Sequence, residues 1–294
     1  MPLAEAAKII TTPAGAVEVE VHGSGTPVLV LHGSPGGVDA ARAMGRFLPA
    51  DRFRTIALSR PGYLGTPLGP GTSIDHEADL LAAVLGTLGV DRAGVFAWSG
   101  GGPSAYRLAV CHPQRVAALI ALAALSSRWV APRPTATDRF MFGSRPGQWL
   151  IEFLARRAPG QVVGGALESE GSVRGDELKA LTAGVLANPD QRAAVLAFSK
   201  TVGRTANRKA GWENDVRNFG RIDSLELDRV RCPVLLIHGD ADTDVAIDFS
   251  YSAQQALPDS RLLVMDRGTH LAFYAHPDAA DVQQQARAFL AAGS

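Results

Sequence analysis

Cysteine is nearly absent from this 294-residue sequence: Cys111 and Cys232 are the only two. They lie 121 positions apart (232 − 111). Two distant thiols exclude a disulfide framework and a cysteine-based zinc site. Both are expected to be buried free thiols in a reducing compartment. An excess of either charge is also missing, with 29 Lys+Arg against 29 Asp+Glu. That balance argues against nucleic acid as a partner, because such binders carry a basic excess. The longest apolar run, Val116–Leu125, is well short of the ~18–20 residues that a membrane span needs. The opening MPLAEAAKIITTP has no charged segment followed by an apolar one, so no signal peptide is expected. Lipidation motifs, internal repeats and low-complexity tracts are missing as well. The chain is therefore expected to be cytoplasmic, without a membrane span.

What is present is a core. The sequence is 46% hydrophobic and 20% charged, which excludes global disorder. Branched apolar runs alternate with helical spacing through the first half. Val17–Val21, Val28–Leu31, Phe53–Leu58, Gly94–Ala97 and Val116–Leu122 read as strands. Val38–Leu48 reads as a helix. A second helix, capped by Ser73 or Asp75, runs to about Leu88 with Leu80, Leu81, Val84, Leu85 and Leu88 on one face. Arg60–Gly71 is a Gly/Pro-rich loop. Such alternation predicts an α/β fold, a mostly parallel central sheet with helices on both faces. From Ser126 to Asp228 the strand signal stops, and helical stretches carry scattered Trp and Phe. Strands return at Val234–Ile237 and Arg261–Met265, and Pro277–Leu290 reads as a closing helix. The expected organisation is a core of residues 1–125 and 229–294, with a mostly helical insertion, 126–228, after the sixth strand.

Three sites carry candidate chemistry. Ala97-Trp98-Ser99-Gly100-Gly101 joins a predicted strand to a predicted helix. A serine on so tight a turn needs small residues two before and two after it, and Ala97 and Gly101 comply. The helix start behind it directs N–H groups and a positive dipole end at the turn. A Gly-rich turn that cradles phosphate is the competing reading. The loop His32-Gly33-Ser34-Pro35-Gly36-Gly37 follows the Val28–Leu31 strand. It offers a backbone N–H at Ser34 that can pair with that of Gly100 as an oxyanion hole. His32 reads as a structural, hydrogen-bonding residue. The third candidate is split between His238-Gly239-Asp240-Ala241-Asp242 and Arg267-Gly268-Thr269-His270, each beyond a predicted strand. Serine, acid and histidine then follow in that order along the chain.

The HGSPGG loop, the SRPGYLGT segment (59–66), the AWSGG elbow, the GDAD loop and the GTHLAF loop together resemble the α/β-hydrolase fold family. More specifically, the chain resembles serine hydrolases of that family that carry an inserted cap domain, and 126–228 would be the cap. The resemblance places the acid at Asp242, with Asp240 and Asp244 as neighbouring alternatives. It implies acyl transfer. Ser99 attacks a carbonyl, His270 acts as base and then acid, and Asp242 orients His270. The N–H groups of Ser34 and Gly100 hold the oxyanion, and no metal or organic cofactor is required. A serine in the elbow disfavours the dehalogenating and epoxide-opening relatives, which use aspartate there.

The substrate is expected to be a small hydrophobic carboxylic ester or lactone, with Trp98, Gly33, Trp129, Trp149 and Trp212 as candidate pocket residues. Proline iminopeptidases share an HGxPGG-like loop but have tryptophan after the serine, whereas Trp98 precedes Ser99. Such a peptidase or amidase would need cap carboxylates for a substrate amine, for which Glu152, Glu168, Glu170 and Glu213 are the candidates. A ligand receptor and a cofactor-free oxygenase or perhydrolase on the same fold are further alternatives. His76, His112 and His276 read as structural or exposed. A homodimer is compatible with the sequence, though nothing in it requires one. Activity is expected to fall as His270 protonates near its ordinary pKa of ~6.5.

Overall fold

The computed structural model describes residues 6–69, 73–203 and 206–293. The far end of the Arg60–Gly71 loop and the first five residues lie outside them. Eight strands form one sheet in the order β1-β2-β4-β3-β5-β6-β7-β8. They are β1 Lys8–Thr12, β2 Gly15–His22, β3 Thr26–Leu31, β4 Phe53–Leu58, β5 Ala93–Trp98, β6 Val116–Leu122, β7 Val234–Gly239 and β8 Ser260–Met265. The β1–β2 and β2–β4 pairings are antiparallel and all the others parallel. Every residue of β5, β6 and β7 is buried, which is why they read as unbroken apolar runs.

Helices cover both faces. In the first half they are α1 Val38–Met44, α2 Ile74–Thr87 and α3 Gly102–Cys111. Ser73 caps α2 by accepting the His76 N–H. Among the described residues, six α-helices then lie between β6 and β7: α4 Ala136–Met141, α5 Arg145–Arg157, α6 Pro159–Ser169, α7 Gly175–Ala187, α8 Pro189–Phe198 and α9 Lys209–Phe219. After β7 come α10 Asp248–Ala256, α11 Ala272–Ala275 and α12 Ala279–Ala292. Side chains of α2, α3 and α10 share one hydrophobic cluster, and those of α1, α11 and α12 share the other. Phe198 of α8 joins the second cluster through Trp98, so the inserted helices pack onto the ends of the strands.

Phe273 is fully buried, with ring centroids 5.0 Å from Phe47 and Tyr274 and 5.4 Å from Phe96. Phe273→Ala is expected to cost about 3–5 kcal/mol. A lower urea midpoint at unchanged slope checks this.

Three sequence expectations differ from the fold. β1 was not expected, because an edge strand with mostly exposed side chains shows no apolar pattern. The sequence does not signal α10 because its fully buried residues are the small Ser250 and Ala253, with Phe249 partly buried beside them. Cys111 is exposed rather than buried. It ends α3 where the helix leaves the sheet, and its Sγ receives a 3.4 Å hydrogen bond from Arg107. Cys232 is buried as expected, and burial pushes its thiol up to about 11.

Candidate active site

β5 runs directly into Ser99, whose φ is +53°. Such backbone costs a non-glycine residue of order 1–3 kcal/mol and persists only where its surroundings impose it. Here they do. A Cβ on Gly101 would lie 2.7 and 2.9 Å from the carbonyl oxygens of Leu31 and His32, so the turn closes only with glycine there. Ala97, two residues before Ser99, is fully buried. α3 begins at Gly102 and points its N-terminus at the turn.

The HGSPGG loop lies against this elbow. A Cβ on Gly33 would sit 3.1 Å from Ser99 Cβ, and one on Gly100 would overlap Ser34 Oγ. The backbone N–H of Ser34 donates to no acceptor among the described residues. His32 is buried, and its Nε2 accepts the Arg60 backbone N–H at 3.0 Å. Its Nδ1 therefore carries the proton and donates to Gly33 O at 2.7 Å. Burial first, and then Arg60, lower its pKa. His32 is a neutral brace for the loop.

The acid and the histidine meet beyond β7 and β8. His270 Nδ1 donates to Asp242 Oδ2 at 2.7 Å, and both residues are buried. Asp242 Oδ1 accepts the backbone N–H groups of Asp244 and Val245 at 2.8 and 2.9 Å. His238, at the end of β7, lies with Nε2 3.2 Å from Asp242 Oδ2. The same Nε2 is 2.9 Å from Val245 O and Nδ1 is 2.7 Å from Ser250 Oγ, which puts the His238 proton on Nε2. Burial opposes ionisation of Asp242, but the His270 charge and the hydrogen bonds from both histidines outweigh it and hold the carboxyl below its usual range. Sequence reasoning missed His238. A histidine four positions before the acid, at a strand end, was the available signal.

The segment after α6 closes over this pair. His270 N–H donates to Glu170 O at 2.9 Å, Ser172 N–H donates to Ala241 O at 2.8 Å, and Gly171 bridges Asp242. Glu170 is half-buried, and burial pushes its carboxyl up to about 8; His270 opposes the shift, while Asp244 and Asp242 add to it. Of the four candidate carboxylates, Glu152, Glu168 and Glu213 are exposed and only Glu170 is brought here.

The candidate pocket residues divide. Trp98 is buried and stacks on His270, centroids 5.3 Å apart at 27°, with Phe198 and Tyr274 completing an aromatic cluster. Trp129 packs on Phe219, whose ring lies beside Gly100. Trp212 is half-buried on α9. Trp149 is not brought to Ser99. It is 64% exposed and stacks on Phe153.

No hydrogen bond joins Ser99 Oγ to His270 among the described residues. His270 Nε2 instead lies 3.5 Å from Asp244 Oδ2. Burial lowers the imidazole pKa, but the charge and hydrogen bond of Asp242, then Asp244 and Glu170, raise it to about 10. The ordinary value of ~6.5 expected from sequence therefore does not apply. A base must be neutral, and the neutral fraction grows tenfold per pH unit below its pKa. kcat/KM is expected to keep rising through pH 7–9, and Asp244→Asn is expected to move that limb toward neutral pH. Initial rates across pH 5–10 check both; a plateau from pH 7 in the parent chain would contradict the first.

The family model for the alpha/beta hydrolase fold matches residues 26–277. A pimeloyl-[acyl-carrier protein] methyl ester esterase of Aromatoleum aromaticum is 30% identical over 85% of this chain and 93% of its own length. A Bacillus subtilis hydrolase, YcgS, is 25% identical over 89% of this chain and 90% of its own. An alpha/beta hydrolase fold protein from Nakamurella multipartita superposes with a TM-score of 0.96 at 42% identity, covering 98% of this chain and 100% of its own.

Proposed function

Because the chain belongs to the alpha/beta hydrolase fold family, we propose that it is a serine hydrolase of small, apolar carboxylic esters or lactones. The observation that carries this reading is the elbow. Ser99 has a positive φ at a helix N-terminus and lies beside both the HGSPGG loop and the Trp98–His270 stack. Ser99 Oγ attacks the carbonyl, and His270 Nε2 takes its proton. For that transfer the imidazole must turn its Nε2 from Asp244 to Ser99 as substrate enters, while Asp242 holds Nδ1. The N–H groups of Ser34 and Gly100 bind the oxyanion, the alcohol leaves with the proton from His270, and water resolves the acyl-enzyme.

Residues 126–228 act in this reading as the cap that selects the substrate. Trp98, Phe198 and Tyr274 give its pocket an aromatic wall. The similarity to an enzyme named for a methyl ester also supports ester over amide. Glu170 argues against the aminopeptidase alternative. A carboxyl raised to about 8 is mostly protonated at neutral pH and makes a weak anchor for a substrate ammonium.

The test compares short p-nitrophenyl esters and lactones with aminoacyl arylamides, alongside labelling of Ser99 by a fluorophosphonate. Ester or lactone turnover with labelling is expected. Arylamide turnover alone would favour the peptidase. The absence of both turnover and labelling would overturn the proposal.

A further inference from the structure

One face of α9 lies against the elbow and the loop that faces it. Gly211, Asp215 and Phe219 recur every four residues and so line one side of the helix. Gly211 N–H donates to Gly62 O at 3.0 Å, and a Cβ on Gly211 would overlap the Tyr63 ring. One turn on, the Asp215 carboxylate enters the HGSPGG loop at 2% exposure. A further turn on, Phe219 Cε2 would lie 3.1 Å from a Cβ on Gly100. The same helix face thus contacts both candidate oxyanion residues.

Asp215 is densely bonded. Its Oδ2 accepts from Ser34 Oγ at 2.5 Å, Tyr63 OH at 2.6 Å and Arg60 Nη1 at 3.1 Å, and its Oδ1 accepts from Arg60 Nη2 at 2.7 Å. Arg60 Nη1 also reaches His32 O at 3.4 Å, and Arg60 Nε pairs with Glu77 Oε1 at 2.7 Å. The buried side chains of Arg60, Tyr63, Glu77 and Asp215, the half-buried Ser34 and the loop backbone form one unit. Three donors on one oxygen call for a carboxylate, since an amide would turn a second N–H group into the cluster.

We propose that Asp215 is a positioning residue for the hydrolysis, setting the Ser34 N–H through its bond to Ser34 Oγ. It does not touch the reacting atoms. The inference rests on the reading of Ser34 and Gly100 as oxyanion donors. A loop with glycine at 33, 36 and 37 has little stiffness of its own, yet an oxyanion donor works only when held within roughly 0.5 Å of its target. The helix adds to the His32 brace a charge-assisted contact at Ser34 itself. The element that selects the substrate thereby also aligns the group that stabilises the transition state.

The experiment compares Ser34→Ala, Asp215→Asn and the double variant with the parent chain. Ser34→Ala keeps the backbone N–H and removes only the hydroxyl. The measurements are kcat and KM for a p-nitrophenyl ester and the inhibition constant of phenylboronic acid, whose serine adduct places an oxygen in the oxyanion hole. Each single variant is expected to lower kcat by about tenfold or more, toward the ~10²–10³ seen when a donor is lost outright. KM should change little, and boronate affinity should fall in step with kcat. The double variant should lose less than the product of the two single losses, because the Ser34–Asp215 contact is common to both, while Asp215→Asn also touches the bonds from Arg60 and Tyr63 and Ser34→Ala also removes the 3.2 Å bond from Arg60 Nη1 to Ser34 Oγ. A merely structural role would lower the melting temperature but leave the kcat and boronate affinity of folded protein unchanged, and that result overturns the proposal. Should Asp215→Asn not fold, Ser34→Ala decides alone. A parent chain that cleaves no ester and leaves Ser99 unlabelled overturns the hydrolase reading and this inference together. An active parent with unaffected variants overturns this inference only.

Discussion

Replacing Ser99 by alanine is expected to lower ester turnover by about 10⁶-fold, the scale seen when a triad nucleophile is removed. The loss is that large because nothing nearby substitutes for it. The other serine of the site, Ser34, already donates its hydroxyl to Asp215. A variant without the hydroxyl keeps the oxyanion donors and the binding surface, so a residue of roughly 10³–10⁴ over the uncatalysed rate should survive. Stability should barely change. Alanine and serine bear the same strain at a φ of +53°, and among the described residues Ser99 Oγ bonds no buried partner whose loss would matter. Steady-state rates and a thermal melt check the two halves. Turnover within tenfold of the parent would return the elbow to its competing reading as an anion-binding turn.

Asp242→Asn is expected to lower kcat by about 10⁴-fold. The reason lies in the four groups around the carboxylate. Oδ1 accepts two backbone N–H groups, from Asp244 and Val245, so an asparagine oxygen stays on that side. Its NH₂ must then face His270 Nδ1 and the protonated Nε2 of His238. Facing a donor, His270 is driven to the tautomer with its proton on Nε2, which cannot accept from Ser99. The donor against His238 is buried as well, so stability should also fall, by about 1–3 kcal/mol. Asp244→Asn is the contrasting control. Its side chain is 51% exposed and lies against Nε2 rather than Nδ1, so it should move the pH limb without abolishing turnover. If Asp244→Asn proved the inactive variant instead, the assignment of the acid would be reversed.

Much of this was legible in the chain. The strands with every residue buried were found to within a residue or two, because burial on both faces leaves no polar position to blur the run. β4 and β6 were placed with the bounds that the structure shows. The elbow, the acid loop and the histidine loop were legible because each sits at a strand end, where a short local pattern of small residues and polar tips is enough. The pH behaviour of His270 was not legible. It depends on burial, on Asp242 and Asp244, and least on Glu170, which is a hundred positions away in sequence (270 − 170) and is carried to the imidazole by the end of α6.

Local sequence by itself determined most of the strands of the sheet and the tight turn at Ser99. Each follows from forces acting within a few residues: periodic burial, steric room beside a strained backbone, and the fall from strand into loop. The tertiary structure alone decided which carboxylates share a space. It placed Asp244 on the far side of His270, Asp215 beneath Ser34, and Trp149 in solvent rather than in the site. Electrostatic and hydrogen-bond couplings act over a few ångströms of space, and the distance along the chain does not encode that separation.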